Sequence, residues 1–252
     1  MKDWKKIKEE LIFFLKKEVY NTGLKRVTLG LSGGLDSAVV AVLCKEAFHD
    51  DLNCVLLPSS FSSKASIDDA IELCEKFDIK YETISIDPML QAYIANMDKD
   101  FLRIGNFSAR LRMSVLYDLS IQQNSLVIGT SNKSEILLGY GTIFGDTAYA
   151  LNPIGNIYKS ELFDFAKFLQ VPKKIIEKNP SADFFQGQSD EDDLGYSYTK
   201  IDSFLKAFYD EKKEIKELKK LGFEDSFISN ITQRVKRNKF KRKMPKIAKI
   251  GD

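Results

Sequence analysis

A glycine-rich turn that contains an aspartate and two serines is the first segment with residue types suited to anion chemistry. It reads Ser32-Gly33-Gly34-Leu35-Asp36-Ser37 and lies between a short β-rich run at 27–31 and a helical pattern at 38–48. Adjacent glycines let the backbone approach an oxyanion, and the first N–H groups of the next helix attract phosphate. Asp36 would repel phosphate unless it held a Mg²⁺ that the phosphates share. The turn therefore indicates a nucleotide-phosphate site; a glycine-rich turn with a chance Ser or Asp cap is the alternative.

This turn matches neither of the two common nucleotide-binding signatures, because no lysine follows the glycines and there is no GxGxxG. It resembles instead the SGGxDS signature of the PP-loop ATP pyrophosphatases, which cleave ATP between the α and β phosphates to activate a substrate as its adenylate. The ATP contacts that this resemblance implies are Gly30, Leu31, Ser32, Gly33, Gly34, Leu35, Asp36 and Ser37.

Four further segments are similar to motifs of the ammonia-dependent NAD synthetases, a family within this superfamily. The first segment, 106–113, resembles NxxARxRM and places Arg110 and Arg112 on a predicted helix. The guanidinium fork of an arginine can grip a phosphate or a carboxylate with two hydrogen bonds, and Arg110 is the implied contact to the acid substrate. A solvated helix face is the alternative for the same pair.

The second segment, 129–135, resembles GTxxxxE and directly follows a predicted strand. It should therefore lie on the same edge of the sheet as the glycine turn. The resemblance implies that Thr130 contacts ATP and that Glu135 is a Mg²⁺ ligand. The residues alone also fit a helix start, with Thr130 or Ser131 as N-cap and Glu135 in the first turn, and both descriptions can hold together.

The third segment joins Phe144-Gly145-Asp146 to a lysine at position 159. The resemblance implies that Lys159 contacts the ATP phosphates and that Asp146 lies near the reacting nicotinate end of the substrate. Asp36, Asp146 and Lys159 are thus the implied catalytic residues. A lone lysine is otherwise usually solvated surface.

The fourth segment, 180–196, resembles P[ST]AD…QxDExxLG. Ser181 is the implied ATP contact, and in the family this loop orders over the site, as a lid that excludes water would. Without the resemblance, 179–195 is predicted to be a mobile loop, with a solvated acidic stretch at 190–193.

The C-terminal region 234–249 is rich in lysine and arginine, which by composition alone could indicate a nucleic-acid surface. Segment 240–245 resembles the family's HKRxxP, which implies that Lys241 binds the dinucleotide. Three family positions differ in this chain: Ile143, Ala150 and Phe240 replace a lysine, an aspartate and a histidine. The resemblance implies that all three belong to the dinucleotide-acid pocket and not to the ATP site. We therefore expect the family's ATP chemistry in this chain, with a different acid substrate as an alternative.

Strands alternate with helices along the first half of the chain, and the strands are apolar on both faces. This pattern predicts an α/β fold, a Rossmann-like parallel sheet flanked by helices, and the resemblance implies the adenine nucleotide alpha hydrolase-like form of it. With no composition break, residues 1–252 are predicted to form one domain. The predicted strands are 27–31, 53–57, 81–86 and 125–129, and the predicted helices begin at Trp4 and cover 38–48, 66–77 (with Ser66 as N-cap), 107–122, 160–169, 197–208 and 225–236.

Composition places the chain among ordinary globular proteins, with 44% apolar and 29% charged residues. A formal net charge of +2 argues against nucleic acid or membrane as a partner of the whole molecule. The start of the chain lacks the features of a signal peptide, and the three cysteines, Cys44, Cys54 and Cys74, form no CxxC pair. We therefore expect a cytoplasmic protein with reduced, buried thiols.

Taken together, the motifs imply ATP-dependent amidation of nicotinic acid adenine dinucleotide (deamido-NAD) by ammonia, through an adenylate, with release of AMP and pyrophosphate. This is the last step of NAD biosynthesis, with Mg²⁺ as cofactor, ATP as co-substrate and a homodimer as the implied assembly. The substrate carboxylate is itself the nucleophile, so the chain needs none, and its single histidine, His49, is predicted to be on the surface. Ammonia rather than glutamine is expected, because 252 residues leave no room for an amidase domain.

Two alternatives remain from the sequence. A PP-loop enzyme that adenylates tRNA could use the basic C-terminal region, although tRNA thiolases favour paired cysteines. A nucleotide-sensing or nucleic-acid-binding protein could have kept the fold and lost catalysis, although the combination of Asp36, Glu135 and Lys159 has no use in a simple binder.

Overall fold

The computed structural model describes residues 2–95, 100–181, 189–248 and 250. Within them, four parallel strands form one sheet in the order β3-β2-β1-β4. The strands are β1 (Arg26–Gly30), β2 (Leu52–Leu56), β3 (Tyr81–Thr83) and β4 (Ser125–Ile128). This confirms the α/β class predicted from the sequence.

The two central strands are buried on both faces, because helices cover both sides of the sheet. Val27 pairs with Leu52, and Leu29 pairs with Cys54, and all four side chains are buried. These four residues share one face of the sheet, and on the other face Thr28 and Val55 are also fully buried. Burial on both faces is typical of parallel sheets and unlike the alternating strands of a solvated sheet. The carboxyl ends of β1 and β4 therefore meet at one edge, where the chain leaves each strand for a functional loop.

Helices follow or connect the strands along the whole described chain. In order they are α1 (Trp4–Asn21), α2 (Leu35–Phe48), α3 (Lys64–Lys76), α4 (Asp87–Ile94), α5 (Phe101–Gln123), α6 (Lys133–Leu138), α7 (Lys159–Phe168), α8 (Lys173–Glu177), α9 (Asp190–Leu194), α10 (Tyr198–Leu205), α11 (Ile215–Lys220) and α12 (Asp225–Arg237). A π-helical turn, Lys206–Asp210, extends α10, and a 3₁₀ turn, Lys239–Arg242, follows α12.

Three apolar clusters hold these elements together. The largest lies on one face of the sheet, under α1, α2, α3, α7 and α8, and a smaller one lies under α5 on the other face. The third cluster is helical and joins α6, α10, α11 and α12. This helical cluster sits beside the carboxyl edge, because α6 begins five residues after β4 ends. It therefore supplies a second wall opposite the glycine turn.

Several predicted boundaries differ from the structure. Ser63, not Ser66, is the N-cap of α3, because its side chain accepts a hydrogen bond from the Ser66 N–H at 3.1 Å. Strand β3 ends at Thr83, three residues earlier than predicted, and α5 begins at Phe101, where Asp100 caps it.

The region predicted to be a mobile loop, 179–195, contains helix α9. Two of its side chains, Asp190 and Leu194, are buried one helical turn apart, which anchors the segment to the helical cluster. Residues 182–188 of the predicted loop lie outside the described residues.

The three cysteines are free and buried, as predicted. Burial raises the pKa of each thiol, that of Cys74 to about 12. No described helix combines the length and apolarity needed to cross a bilayer.

Candidate active site

A cleft of about 660 Å³ opens at the carboxyl edge of the sheet, between the glycine turn and the helical cluster. Its floor includes Gly30 at the end of β1 and Ile128 at the end of β4. Ligands of open parallel sheets bind at this edge. The position of the cleft therefore follows from the strand order.

The glycine turn at the start of α2 requires glycine at position 33. Gly33 has φ +77°, and a Cβ there would lie 1.9 Å from the Ser66 carbonyl oxygen. Gly34 is the N-cap of α2 and provides no side-chain cap for the first turn of that helix. Ser37 accepts from the Ser32 N–H at 3.2 Å and shares a 3.0 Å hydrogen bond with the Ser32 hydroxyl. The serines thus shape the turn, and the helix N-terminus keeps its affinity for anions.

Asp36 meets Lys159 at this helix N-terminus, across 123 residues of sequence. The two side chains form an ion pair that faces the cleft, with 15% and 4% of their surfaces exposed. Asn132 donates to the second Asp36 oxygen at 2.8 Å. Burial by itself lowers the pKa of Lys159, but the carboxylates of Asp36 and Glu135 outweigh it and raise the pKa. Lys159 is therefore a fixed positive charge and not a solvated surface lysine.

Glu135 joins the same group through Asn132, which is the N-cap of α6. The Asn132 side chain accepts from the Glu135 N–H at 3.0 Å, and the Glu135 carboxylate accepts from the Asn132 N–H at 3.1 Å. Neither Thr130 nor Ser131 is the cap, since Asn132 is the residue with the capping-box spacing to Glu135. Burial, and the nearby charge of Asp36, raise the pKa of Glu135. Glu135 therefore belongs to the capping box of α6 and also lines the cleft.

A third carboxylate, Asp190, lies at this end of the cleft and was not predicted. It is 4% exposed and accepts from the hydroxyls of Tyr140, at 3.1 Å, and Tyr198, at 3.2 Å. Burial raises its pKa, while Lys159 acts in the opposite direction. The signal available in the sequence was the four-residue spacing from Asp190 to Leu194, which puts both on one helical face.

The remaining implied ATP contacts also reach the cleft. Thr130 lines it directly after β4, beside Gly129, where a Cβ would collide with the Tyr149 ring at 2.2 Å. Ser181 lines the cleft at the end of the described segment. The structure thus brings together Asp36, Glu135, Lys159, Thr130 and Ser181.

The opposite end of the cleft is basic and contains Lys241 and Asp146. Lys241 donates to the carbonyls of Gly139, at 2.9 Å, and Gly141, at 2.8 Å. Asp146 accepts from the Thr142 N–H at 2.7 Å, so it stabilises the turn that carries it. Burial lowers the pKa of Lys241, Asp146 opposes this, and neighbouring arginines lower it further.

Arg110 and Arg112 both lie on α5, as predicted for a helix, but in different surroundings. Arg112 points to the cleft wall, where it donates to the Leu57 carbonyl at 2.9 Å and to the Ser62 hydroxyl at 3.2 Å. Arg110 is exposed and donates to the Ile143 carbonyl at 3.3 Å. Side chains two residues apart on a helix point in different directions, so they cannot grip one group together.

The residues that line the cleft within the described chain include Arg112 but not Arg110. The three positions that differ from the family motifs, Ile143, Ala150 and Phe240, also lie outside this lining, and Phe240 is 60% exposed.

Comparison with known proteins fits this geometry. The family model described as NAD synthase matches residues 7–245. The chain belongs to the NAD synthase family. It is 50% identical to the NH₃-dependent NAD⁺ synthetase of Helicobacter pylori, across 98% of this chain and 97% of that protein. The corresponding Campylobacter jejuni protein is 49% identical, across 98% and 100%.

Solved structures of the family superpose over nearly the full length. The NH₃-dependent NAD synthetase of Campylobacter jejuni has a TM-score of 0.85 at 42% identity, covering 99% of this chain and 100% of that one. An NMN synthetase from Francisella tularensis has a TM-score of 0.89 at 35% identity, with the same coverage. Family membership confirms the predicted resemblance, NAD biosynthesis as the biological role and ATP as a co-substrate.

Proposed function

We propose that this chain is an ammonia-dependent NAD synthetase whose acidic cleft end activates the nicotinate carboxylate with ATP. The observation that carries the proposal is the meeting of Asp36 and Lys159 at the N-terminus of α2, beside a turn that only glycine can form. A buried lysine and a carboxylate that both face a cleft indicate a site for a polyphosphate and its counter-ion.

The ATP phosphates are proposed to lie over the 30–37 turn, with Thr130, Lys159 and Ser181 as further contacts. The first N–H groups of α2 point toward that position, and Lys159 adds a fixed positive charge. Each such donor stabilises the negative charge that moves onto the leaving pyrophosphate.

Mg²⁺ fits Asp36 and Glu135, which supply the hard carboxylate oxygens that it prefers. Both carboxylates are hydrogen-bonded to Asn132. The carboxylates of Asp36, Glu135 and Asp190 surround the ammonium of Lys159, so an added cation would balance the charge. No three His, Cys, Asp or Glu side chains within the described ranges could hold a metal by themselves. Two carboxylates completed by phosphate oxygens are the usual arrangement for this ion. When bound, Mg²⁺ neutralises the polyphosphate.

In the first proposed step, a carboxylate oxygen of the nicotinate attacks the α phosphorus of ATP. The bond from that phosphorus to the bridging oxygen breaks, and pyrophosphate leaves with the electron pair. The chain binds and orients the two anions, and Lys159 holds the charge that develops on the leaving group. The product is a mixed anhydride of nicotinate and AMP.

In the second step, the nitrogen of ammonia attacks the anhydride carbonyl and loses a proton to water or buffer, and AMP departs. The resulting amide is the nicotinamide of NAD. Neither step needs a protein nucleophile. Helix α9, which carries the buried Asp190 at this end of the cleft, would help to exclude the water that competes with ammonia.

The basic cleft end is proposed to hold the dinucleotide acid, with Lys241 and Asp146 as contacts and Arg110 nearby. Lys241 is bound only to backbone carbonyls in the described chain, so a substrate phosphate is its first anionic hydrogen-bond partner. A mononucleotide acid is a second candidate substrate, because the Francisella tularensis neighbour is described as an NMN synthetase and three positions of the family motifs differ here.

We further propose a homodimer built on α4 and α5. These helices expose several large apolar side chains, namely Met89, Tyr93, Phe101, Leu102, Tyr117 and Ile121. Large apolar side chains that are exposed on neighbouring helices are candidates for an interface. Ile121→Arg is expected to halve the mass measured by light scattering, and a dimer that persists in this variant excludes the α5 face. The free thiols fit a cytoplasmic location.

The test of the proposed function is to incubate the protein with ATP, Mg²⁺ and ammonium, plus either deamido-NAD or the mononucleotide acid. AMP, pyrophosphate and the amidated product are then quantified. We expect equal amounts of the three with deamido-NAD, and none when glutamine replaces ammonium. A clear preference for the mononucleotide acid would favour the second candidate, and ADP as the product would refute both.

A further inference from the structure

One face of α10 and the π turn that extends it carries three charged side chains, Asp202, Lys206 and Asp210. They are four residues apart, which places them in a row. Lys206 forms an ion pair with Glu161 at 2.7 Å, and Asp210 binds the Lys133 ammonium at 2.8 Å. Each contact reaches the first turn of α6 or α7, the helices that carry Glu135 and Lys159.

Asp202 is the buried member of this row, with 1% of its surface exposed. Its two oxygens accept from the Ser134 hydroxyl, at 2.6 Å, and the Ser160 N–H, at 2.8 Å. The Ser134 oxygen in turn accepts from the Lys159 N–H at 2.9 Å. One carboxylate therefore connects α6 to the N-terminus of α7.

The two residues that donate to Asp202 are the sequence neighbours of residues that face the proposed nucleotide. Ser134 directly precedes Glu135, and Ser160 directly follows Lys159. Burying a carboxylate is costly unless hydrogen bonds satisfy both oxygens, and here both are satisfied by donors that flank site residues. Burial raises the pKa of Asp202, and the hydrogen bonds from Ser134 and Ser160 act in the opposite direction.

We propose that Asp202 is a positioning residue, whose buried carboxylate holds α6 and α7 together so that Lys159 and Glu135 both face Asp36. Asp202 itself does not line the cleft that the described residues form, and it acts through Ser134 and Ser160. Small displacements of charged groups matter here, since misplacement by about 1 Å can cost about 10²-fold in rate.

The test compares Asp202→Asn with Asp210→Asn, the exposed member of the same row. An asparagine at 202 can accept only one of the two hydrogen bonds, since its amide nitrogen is a donor. We expect kcat for pyrophosphate release to fall by about 10- to 10²-fold in Asp202→Asn, while KM for ATP changes much less. Asp210→Asn is expected to keep the parent kcat. Each rate is normalised to folded protein, measured well below that variant's unfolding midpoint.

Ser134→Ala removes only the hydroxyl between Asp202 and the Lys159 N–H, and it serves if Asp202→Asn fails to fold. It should lower kcat in the same direction, and the double variant should be no worse than Asp202→Asn. A folded Asp202→Asn or Ser134→Ala protein with the parent kcat would overturn the inference, as would equal losses in Asp202→Asn and Asp210→Asn. The inference rests on the proposed function, which fails separately if the parent protein releases no pyrophosphate.

Discussion

The two ends of the cleft are built in different ways. At the acidic end, Asp36, Glu135 and Asp190 surround Lys159, and each has protein hydrogen-bond partners. At the basic end, Lys241 is bound to two backbone carbonyls, and Arg234 rests on the Tyr140 ring, 5.8 Å from its centre. The acidic end is thus assembled by the chain itself, while at the basic end the carboxylate of Asp146 faces Lys241 and several neighbouring arginines.

This difference indicates how the two substrates are handled. A preassembled charged group costs little reorganisation when charge develops on the transferred phosphate, so it suits catalysis. A cation with cationic neighbours suits binding, because an incoming anion relieves their repulsion. Burial and the neighbouring Arg234 and Arg110 both lower the pKa of Lys241. We therefore expect substitutions at the acidic end to change kcat, and substitutions at the basic end to change KM for the acid.

The largest expected effect is that of Asp36→Asn. The change keeps the shape of the side chain but removes the counter-charge of Lys159 and a metal ligand. Pyrophosphate release should fall by about 10²-fold or more, in line with about 2.7–4 kcal/mol for a transition-state contact. Near-normal release by a folded variant would break the contrast between the two ends.

The matched control is Asp51→Asn, whose ion pair with Arg26 is on the surface. Removing that charge should leave the rate close to that of the parent, because exposed ion pairs contribute little to stability.

A smaller effect is expected for Lys241→Met at the basic end. Loss of one charged hydrogen-bond donor, worth about 1.5–3 kcal/mol, should raise KM for the nicotinic acid nucleotide about tenfold or more. KM for ATP should stay near the parent value, and Lys243→Met, at an exposed position, provides the control. A fall in kcat with both KM values unchanged would place Lys241 in the chemistry and remove the distinction between the ends.

The smallest effect concerns how rigidly the acidic end is built. Gly33→Ala and Gly195→Ala change two glycines with the same φ of +77°, but only the first brings a Cβ against backbone, the Ser66 carbonyl. Strain at such a φ costs about 1–3 kcal/mol, and the collision adds to it at position 33 only. Urea unfolding should therefore show a larger loss for Gly33→Ala. Equal losses would mean that the turn can move away from α3, contrary to a preassembled site.

The sequence allowed prediction of whatever depends on local pattern. The strand-turn-helix around Gly33, the parallel sheet and the position of Glu135 in a first helical turn all follow from residues close in the chain. The correct cap, Asn132, was also readable, since Asn132 and Glu135 have the capping-box spacing.

The parts that sequence reasoning missed depend on distant partners. Tyr140 and Tyr198 donate to the buried Asp190, and Arg112 is held at the cleft wall because the Leu57 carbonyl accepts from it. The contacts of Tyr140 and Leu57 span about 50 residues and have no local signature, whereas the spacing from Asp190 to Leu194 is a local sign of burial. The roles of Asp146, Arg110 and Lys241 toward a substrate stay predictions, because they concern contacts with the bound nicotinic acid nucleotide.

The most direct test of the central claim is isotope exchange between labelled pyrophosphate and ATP, with ammonia absent. If the acidic end transfers AMP to the nicotinate carboxylate before ammonia acts, label should enter ATP when deamido-NAD is present, and not without it. Exchange in the Asp36→Asn protein should be lower by about 10²-fold or more. Exchange that requires ammonia, or that proceeds equally without the acid, would contradict the account.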